Sequence, residues 1–275
     1  MVSLLSGSIL SQADDLLPIP DKLVVLTFDD GVKSQATFVA PLLKRYGFRA
    51  TFFITEGLNF PRNKERYMTW EEIKKLHEAG FEIGNHTGHH KDVRSQSREE
   101  FLADLEQIEE RCKEHGIPVP KTFCYPGYSF TRMAVEVLAE KGYLFARRGV
   151  APEFPYSDKG DRGPAYDPTE DHPLLIPTTG ASGPNWTFKD FVWAVKQARD
   201  GKIAVLTFHG VPDLDHPWVN TNPLVFAKYM KYLHDNGYTV IALRDLAKFV
   251  DPTKELSNPL EPIKRRIKHT TSRLS

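Results

Sequence analysis

The 275-residue sequence predicts an α/β domain, a parallel sheet with helices outside it, in one unit of α/β-barrel size. Three observations carry that prediction. Short stretches rich in β-branched and aromatic residues alternate with helix-period patterns along the chain. Two capping boxes, Thr69-x-x-Glu72 and Ser97-x-x-Glu100, mark helix starts by satisfying free backbone donors reciprocally. Polar, glycine-containing clusters follow three of the apolar stretches, as loops follow strand ends.

In chain order, strands are expected at residues 23–29, 50–55, 81–85, 121–125, 143–146, 203–208 and 239–242. Helices are expected at 35–46, 70–79, 98–115, 131–140, 188–199, 223–236 and 243–249. Neither an internal repeat nor a second domain is visible. The division reads as an N-terminal extension (1–21), a catalytic domain (22–252) and a basic C-terminal tail (253–275). Segment 150–184, rich in Pro, Gly and Asp, reads as a long loop beside the pocket that shapes substrate choice. The stretch from residue 256, with Lys264-Arg265-Arg266 and Lys268, reads as a solvated, partly flexible end.

Lys+Arg and Asp+Glu both number 36, so no global field draws the chain to nucleic acid or an anionic membrane. No apolar stretch approaches the roughly 20 residues needed to span a bilayer. Residues 1–13 carry a short apolar piece and Ser11-Gln12-Ala13 without a basic start, a weak signal-peptide pattern that an ordinary N-terminus matches equally well. Secreted, envelope and cytoplasmic locations stay open, and Cys112 on a helix and Cys124 on a strand do not decide between them.

The chemistry lies in the three clusters: Thr27-Phe28-Asp29-Asp30-Gly31, His86-Thr87-Gly88-His89-His90 and His209-Gly210. Strand ends gather residues distant in sequence around one pocket. Two acids, two histidines four apart and one distant histidine suit metal-assisted hydrolysis, in which a cation activates water and side chains move protons. Strand alternation points Asp29 and Asp30 apart, so one is free to bind metal and the other to act as base. Singly, each cluster has a plainer reading: a turn, solvated loop histidines, a core histidine. The helical zinc-protease motif does not fit, because Thr87 stands where Glu is required and Gly88 disfavours a helix.

These clusters, with Leu206-Thr207-Phe208-His209-Gly210-Val211, resemble the first, second and fifth motifs of the polysaccharide deacetylases, the NodB-type carbohydrate esterases of family four. The resemblance spans about residues 22–250. It implies a distorted (β/α) barrel of about seven parallel strands, with Asp29 as base and His209 as acid. It also implies that Asp30, His86 and His90 bind a divalent ion, zinc first, with cobalt, nickel or manganese as alternatives. The implied substrate is an acetylated carbohydrate.

Two motifs depart from the family pattern. Cys124 stands where the third motif has the arginine that holds the base carboxylate. Ala146-Arg147-Arg148-Gly149 stands where the fourth commonly contributes Asp and Trp. Arg147 is expected to replace the missing charge from a neighbouring strand. Tyr125, Pro126, Tyr128 and Trp218 are candidate substrate contacts, with Trp186 a further aromatic candidate and the 125–128 backbone a candidate oxyanion site. Asp213, Asp215 and His216, in the loop after His209, are expected to orient it, bind polar substrate or stay solvated. Removal of N-acetyl groups leads. O-acetyl esters, another linear or cyclic amide, and a non-catalytic sugar-binding domain are the alternatives.

Overall fold

A computed structural model describes residues 16–154, 161–254 and 258–271. The apolar piece within 1–13 lies outside the described residues, as do part of the 150–184 segment and the last residues of the tail. The strands are β1 Leu23–Phe28, β2 Thr51–Ile54, β3 Glu82–Asn85, β4 Thr122–Cys124, β5 Phe145–Arg147, β6 Asp161–Arg162, β7 Gly180–Ala181, β8 Ala204–Phe208 and β9 Thr239–Ile241. They form one sheet in the order β5-β4-β3-β2-β1-β8-β7-β6, parallel except for β6 against β7. β1 is the central stave. β8 pairs along one edge from Val24↔Ala204 to Phe28↔Phe208, while β9 and β2 share the other edge at its start and end.

The sheet curls on itself. Ile176 forms a parallel bridge with Arg147, and Gly180-Ala181 pair with β8, so residues 176–181 close the gap between β5 and β8. This corrects the expected plain loop at 150–184. Its strands are only two residues long, too short for a periodic signal, yet they complete a barrel of seven parallel staves (β1–β5, β7, β8).

The helices are α1 Ala40–Arg45, α2 Trp70–Glu78, α3 Arg98–Glu114, α4 Arg132–Glu140, α5 Phe188–Val195, α6 Pro223–Asp235 and α7 Glu261–Thr271. Both capping boxes form, at Thr69 and Ser97. The expected helix at 243–249 is a 3-10 helix, Leu243–Lys248.

Strand alternation sorts the core and aims the site. Val24, Leu26 and Phe28 pack outward with helix residues, where Phe28 stacks on Phe52 and Phe208 at 5.2 and 5.4 Å. Leu23 and Val25 face the barrel interior with Phe53, Cys124, Phe145, Ile203 and Val205, and Leu243 and Leu246 join them there. Continued by twos, this register carries Thr27 and Asp29 inward on β1, and Thr207 and His209 on β8.

The C-terminal stretch is not a free tail. Leu260, Ile263 and Ile267 pack on the cluster of Phe101, Phe123, Ala134 and Leu138. Arg266 bonds Glu153 at 3.0 Å and also Asp171, two buried carboxylates that draw the helix onto the domain.

Candidate active site

β1 ends at Phe28, and Asp29 stays in register through its N–H to the Phe208 carbonyl at 3.0 Å. Asp30 then turns with φ +73°. That left-handed turn, rather than strand alternation alone, separates the two carboxylates. Gln35, buried in the following turn, donates Nε2 to the Asp29 carbonyl at 2.5 Å and to the His209 carbonyl at 3.3 Å, tying the two strand ends together. Sequence reasoning passed over Gln35. A polar residue on an apolar helix face was the only signal.

After β3, Asn85 accepts the Thr87 N–H at 2.9 Å, and Thr87 takes φ +64°. Thr87 Oγ1 in turn accepts the His90 N–H at 3.0 Å. Gly57 lets the neighbouring chain approach. A Cβ there would lie 2.8 Å from the His89 carbonyl and the His90 Cβ. His86 Nε2 and His90 Nε2 each lie 3.3 Å from Asp30 Oδ1.

His86 Nδ1 donates to the Cys124 carbonyl at 2.7 Å, which in the neutral ring leaves its Nε2 an acceptor facing the Asp30 carboxylate. Asp30 Oδ1 is buried without a hydrogen-bond partner among the described residues. Acceptors facing one another are explained by a cation between them. Ligand atoms of a tetrahedral ion with bonds of 2.0–2.2 Å stand about 3.3–3.6 Å apart. The donor set therefore fits a divalent ion, and the Nδ1 bond is the outer support that ligating histidines use.

Asp29 is fully buried against Arg147, whose Nη2 donates at 2.7 Å to Oδ1 and 2.6 Å to Oδ2. Cys124 and Arg147 are paired neighbours in β4 and β5, both pointing inward, so the guanidinium reaches over the short thiol. Arg147 Nη2 lies 2.7 Å from Cys124 Sγ, its Nη1 donates to Thr178 Oγ1 at 3.0 Å, and the Tyr128 ring lies 5.4 Å from the guanidinium. Burial opposes the Arg147 charge, but Asp29 and Cys124 outweigh it and push its pKa up. Burial pushes the Cys124 thiol well up, and in the cluster of Asp29, His86 and Cys124 both Asp29 and Cys124 are engaged by Arg147.

His209 Nε2 lies 3.8 Å from Asp29 Oδ2 and 3.9 Å from Asp30 Oδ2. Its Nδ1 is buried without a partner among the described residues. Asp29, Asp30, His86, His90 and His209 line one cavity of about 330 Å3, with Leu58, Gly127, Tyr128, His216 and Trp218. Asp213 faces His216 Nδ1 at 3.3 Å and pulls that imidazole above its ordinary pKa.

Two expected substrate contacts are elsewhere. Tyr125 follows the inward Cys124 and so points outward. It is buried against Phe123 and Phe130, with its hydroxyl donating to the Leu174 carbonyl at 2.9 Å. Pro126 is buried in the next turn and does not line the cavity. Trp186 also belongs to the core. Tyr128 and Trp218 remain at the cavity.

Residues 18–146 match the family model described as polysaccharide deacetylase, which ends one residue before Arg147. An uncharacterized Bacillus subtilis protein, YlxY, is 32% identical over 101 residues, 37% of this chain and 30% of that one. The peptidoglycan-N-acetylglucosamine deacetylase of Bacillus cereus is 31% identical over 128 residues, 46% of this chain and 56% of that one. The chain thus spans about a third to just over half of these relatives. The solved structure of the chitin deacetylase of Colletotrichum lindemuthianum superimposes with a TM-score of 0.57 at 19% identity, covering 88% of this chain and 97% of that one, and it shares the fold. Over residues 18–146 the chain is similar to the polysaccharide deacetylase family, and a solved member's fold matches its barrel.

Proposed function

We propose that this protein is a metal-dependent hydrolase that removes N-acetyl groups from a carbohydrate. The carrying observation is that Asp30, His86 and His90 converge on one point while Asp29 and His209 face the same cavity. A divalent ion at that point, zinc or one of similar preference, supplies Lewis acidity to the acetyl carbonyl and the attacking water.

Asp29, oriented by Arg147, takes the proton of the attacking water. His209 stands beside both carboxylates and gives a proton to the departing nitrogen, which leaves poorly as an anion. Tyr125 and Tyr128 N–H groups are already committed to the Arg147 and Tyr125 carbonyls at 3.1 and 2.9 Å. Any backbone donation to the developing oxyanion from that turn therefore falls to Gly127, which lines the cavity. Tyr128 walls the cavity beside the Arg147 guanidinium, which lies 5.4 Å from its ring.

The test follows acetate release from N-acetylglucosamine oligomers and O-acetylated xylan, and ring opening of a cyclic imide, in parallel. Preferential release from the first supports the reading. Turnover of the imide or the ester alone replaces it with the corresponding activity on the same groups.

A further inference from the structure

The loop that carries two of the candidate metal ligands, His86 and His90, has an unfavourable backbone. Thr87 at φ +64° and His90 at φ +55° both lie in the left-handed region, which residues with a side chain avoid. Such conformations persist only where the surroundings over-determine them. Thr87 is held from within the loop, through Asn85 and through the bond of its own hydroxyl to the His90 N–H. Gly88 and His89 are held from outside, by α3.

Three contacts join the loop to that helix. Asn85 Nδ2 donates to the Leu105 carbonyl at 3.0 Å, the Gly88 N–H donates to the Asp104 carbonyl at 2.8 Å, and the Asp104 carboxylate accepts from His89 Nδ1 at 2.6 Å. A Cβ on Gly88 would lie 3.0 Å from the Gln107 Cβ, so the loop rests directly on the helix. Asp104 is buried, and its Oδ2 has no hydrogen-bond partner among the described residues. A buried carboxylate satisfied on one oxygen only is costly to keep. The side chain it engages is His89, whose ring is otherwise turned to water, 58% exposed. His89 is outside the cluster of Asp30, His86 and His90, yet it immediately precedes one of its members.

We propose that Asp104 and His89 form a clamp that pre-organises the metal-binding loop, so that part of the affinity for a divalent ion comes from a pair that never touches it. The proposal rests on the metal-site reading. The pair draws the loop onto a rigid helix and holds the His86 and His90 Nε2 atoms at 3.3 Å from Asp30 Oδ1, so that binding need not order them. Asp104 is a positioning residue that acts through His89.

The experiment measures zinc binding by the full chain in competition with a chromophoric chelator, alongside urea unfolding of each metal-free variant. The wild type is expected to bind one zinc ion. Asp104→Ala and His89→Ala are each expected to weaken binding about 10–100-fold, the range for groups that orient metal ligands. The double variant is expected to be no weaker than the weaker single one, because both substitutions remove the same contact. Asp104→Asn, whose amide oxygen still accepts from His89 Nδ1, restores most of the affinity. His89→Ala alters an exposed ring and keeps the test open if Asp104→Ala fails to fold. Unchanged affinity in His89→Ala overturns the clamp, as does affinity lost only in step with the folded fraction of the metal-free protein. A double variant that shows the two single losses in full sum overturns it too. In each of these cases a wild type that binds zinc leaves the metal site standing, whereas a wild type that binds none defeats both.

Discussion

Arg147→Ala removes a guanidinium that is fully buried against an equally buried Asp29, with both carboxylate oxygens within 2.7 Å of Nη2. Treating Arg147 as a purely catalytic cation leads one to expect little change in stability. Burial of the pair says otherwise. Breaking a buried pair by deleting one partner strands the other charge and costs roughly 3–5 kcal/mol. For a chain of this size that is some 6–20 °C in Tm, at about 2–4 °C per kcal/mol. Replacing both partners with neutral groups removes the stranded charge, so Asp29→Asn/Arg147→Met should recover most of the loss while staying inactive. Urea unfolding followed by circular dichroism reads the stability, and acetate release reads the activity. If Arg147→Ala loses less than about 1 kcal/mol and keeps wild-type turnover, the pair neither supports the fold nor orients the base.

Other consequences are equally direct. Burial pushes the Cys112 thiol up to about 12 and the Cys124 thiol well above its usual range, so neither should react with iodoacetamide in the folded protein, and both should react in urea. Burial lowers His172 to about 4 from 6.5, and its Nδ1 accepts the Leu174 N–H at 3.0 Å. The unfolded chain therefore binds that proton first, so stability is intact above pH 6.5 and falls as pH drops toward 4. His172→Asn should flatten the difference between urea midpoints at pH 7.5 and about 4.5 relative to wild type. Arg266→Ala leaves Asp171 and part of the Glu153 charge uncompensated and should cost about 2–3 kcal/mol, measured by the same unfolding assay.

Much of the barrel was legible because its staves are continuous apolar runs that end in polar loops, as 23–28 and 204–208 do. Asp29, Asp30, His86, His90 and His209 were legible for the same reason, since each follows such a run at a strand end. Arg147 could be named because Cys124 left a charge unsupplied. Its route to Asp29 depends on the pairing of β4 with β5, which no local pattern prints. Tyr125 was misplaced by following a motif position and neglecting period two. An inward Cys124 requires an outward Tyr125. The C-terminal helix was hidden by its charges. Leu260, Ile263 and Ile267 recur at helical spacing, but Lys264-Arg265-Arg266 dominates the composition, and the partners Glu153 and Asp171 lie about a hundred residues upstream.

The convergence of Asp30, His86 and His90 is tested most directly by acetate release from N-acetylglucosamine oligomers before and after exhaustive chelation, then after one equivalent of zinc. The account predicts release that disappears on chelation with the circular dichroism spectrum unchanged, and returns with zinc in the wild type but not in His86→Ala. Undiminished release from the metal-free protein, or from His86→Ala, would contradict it.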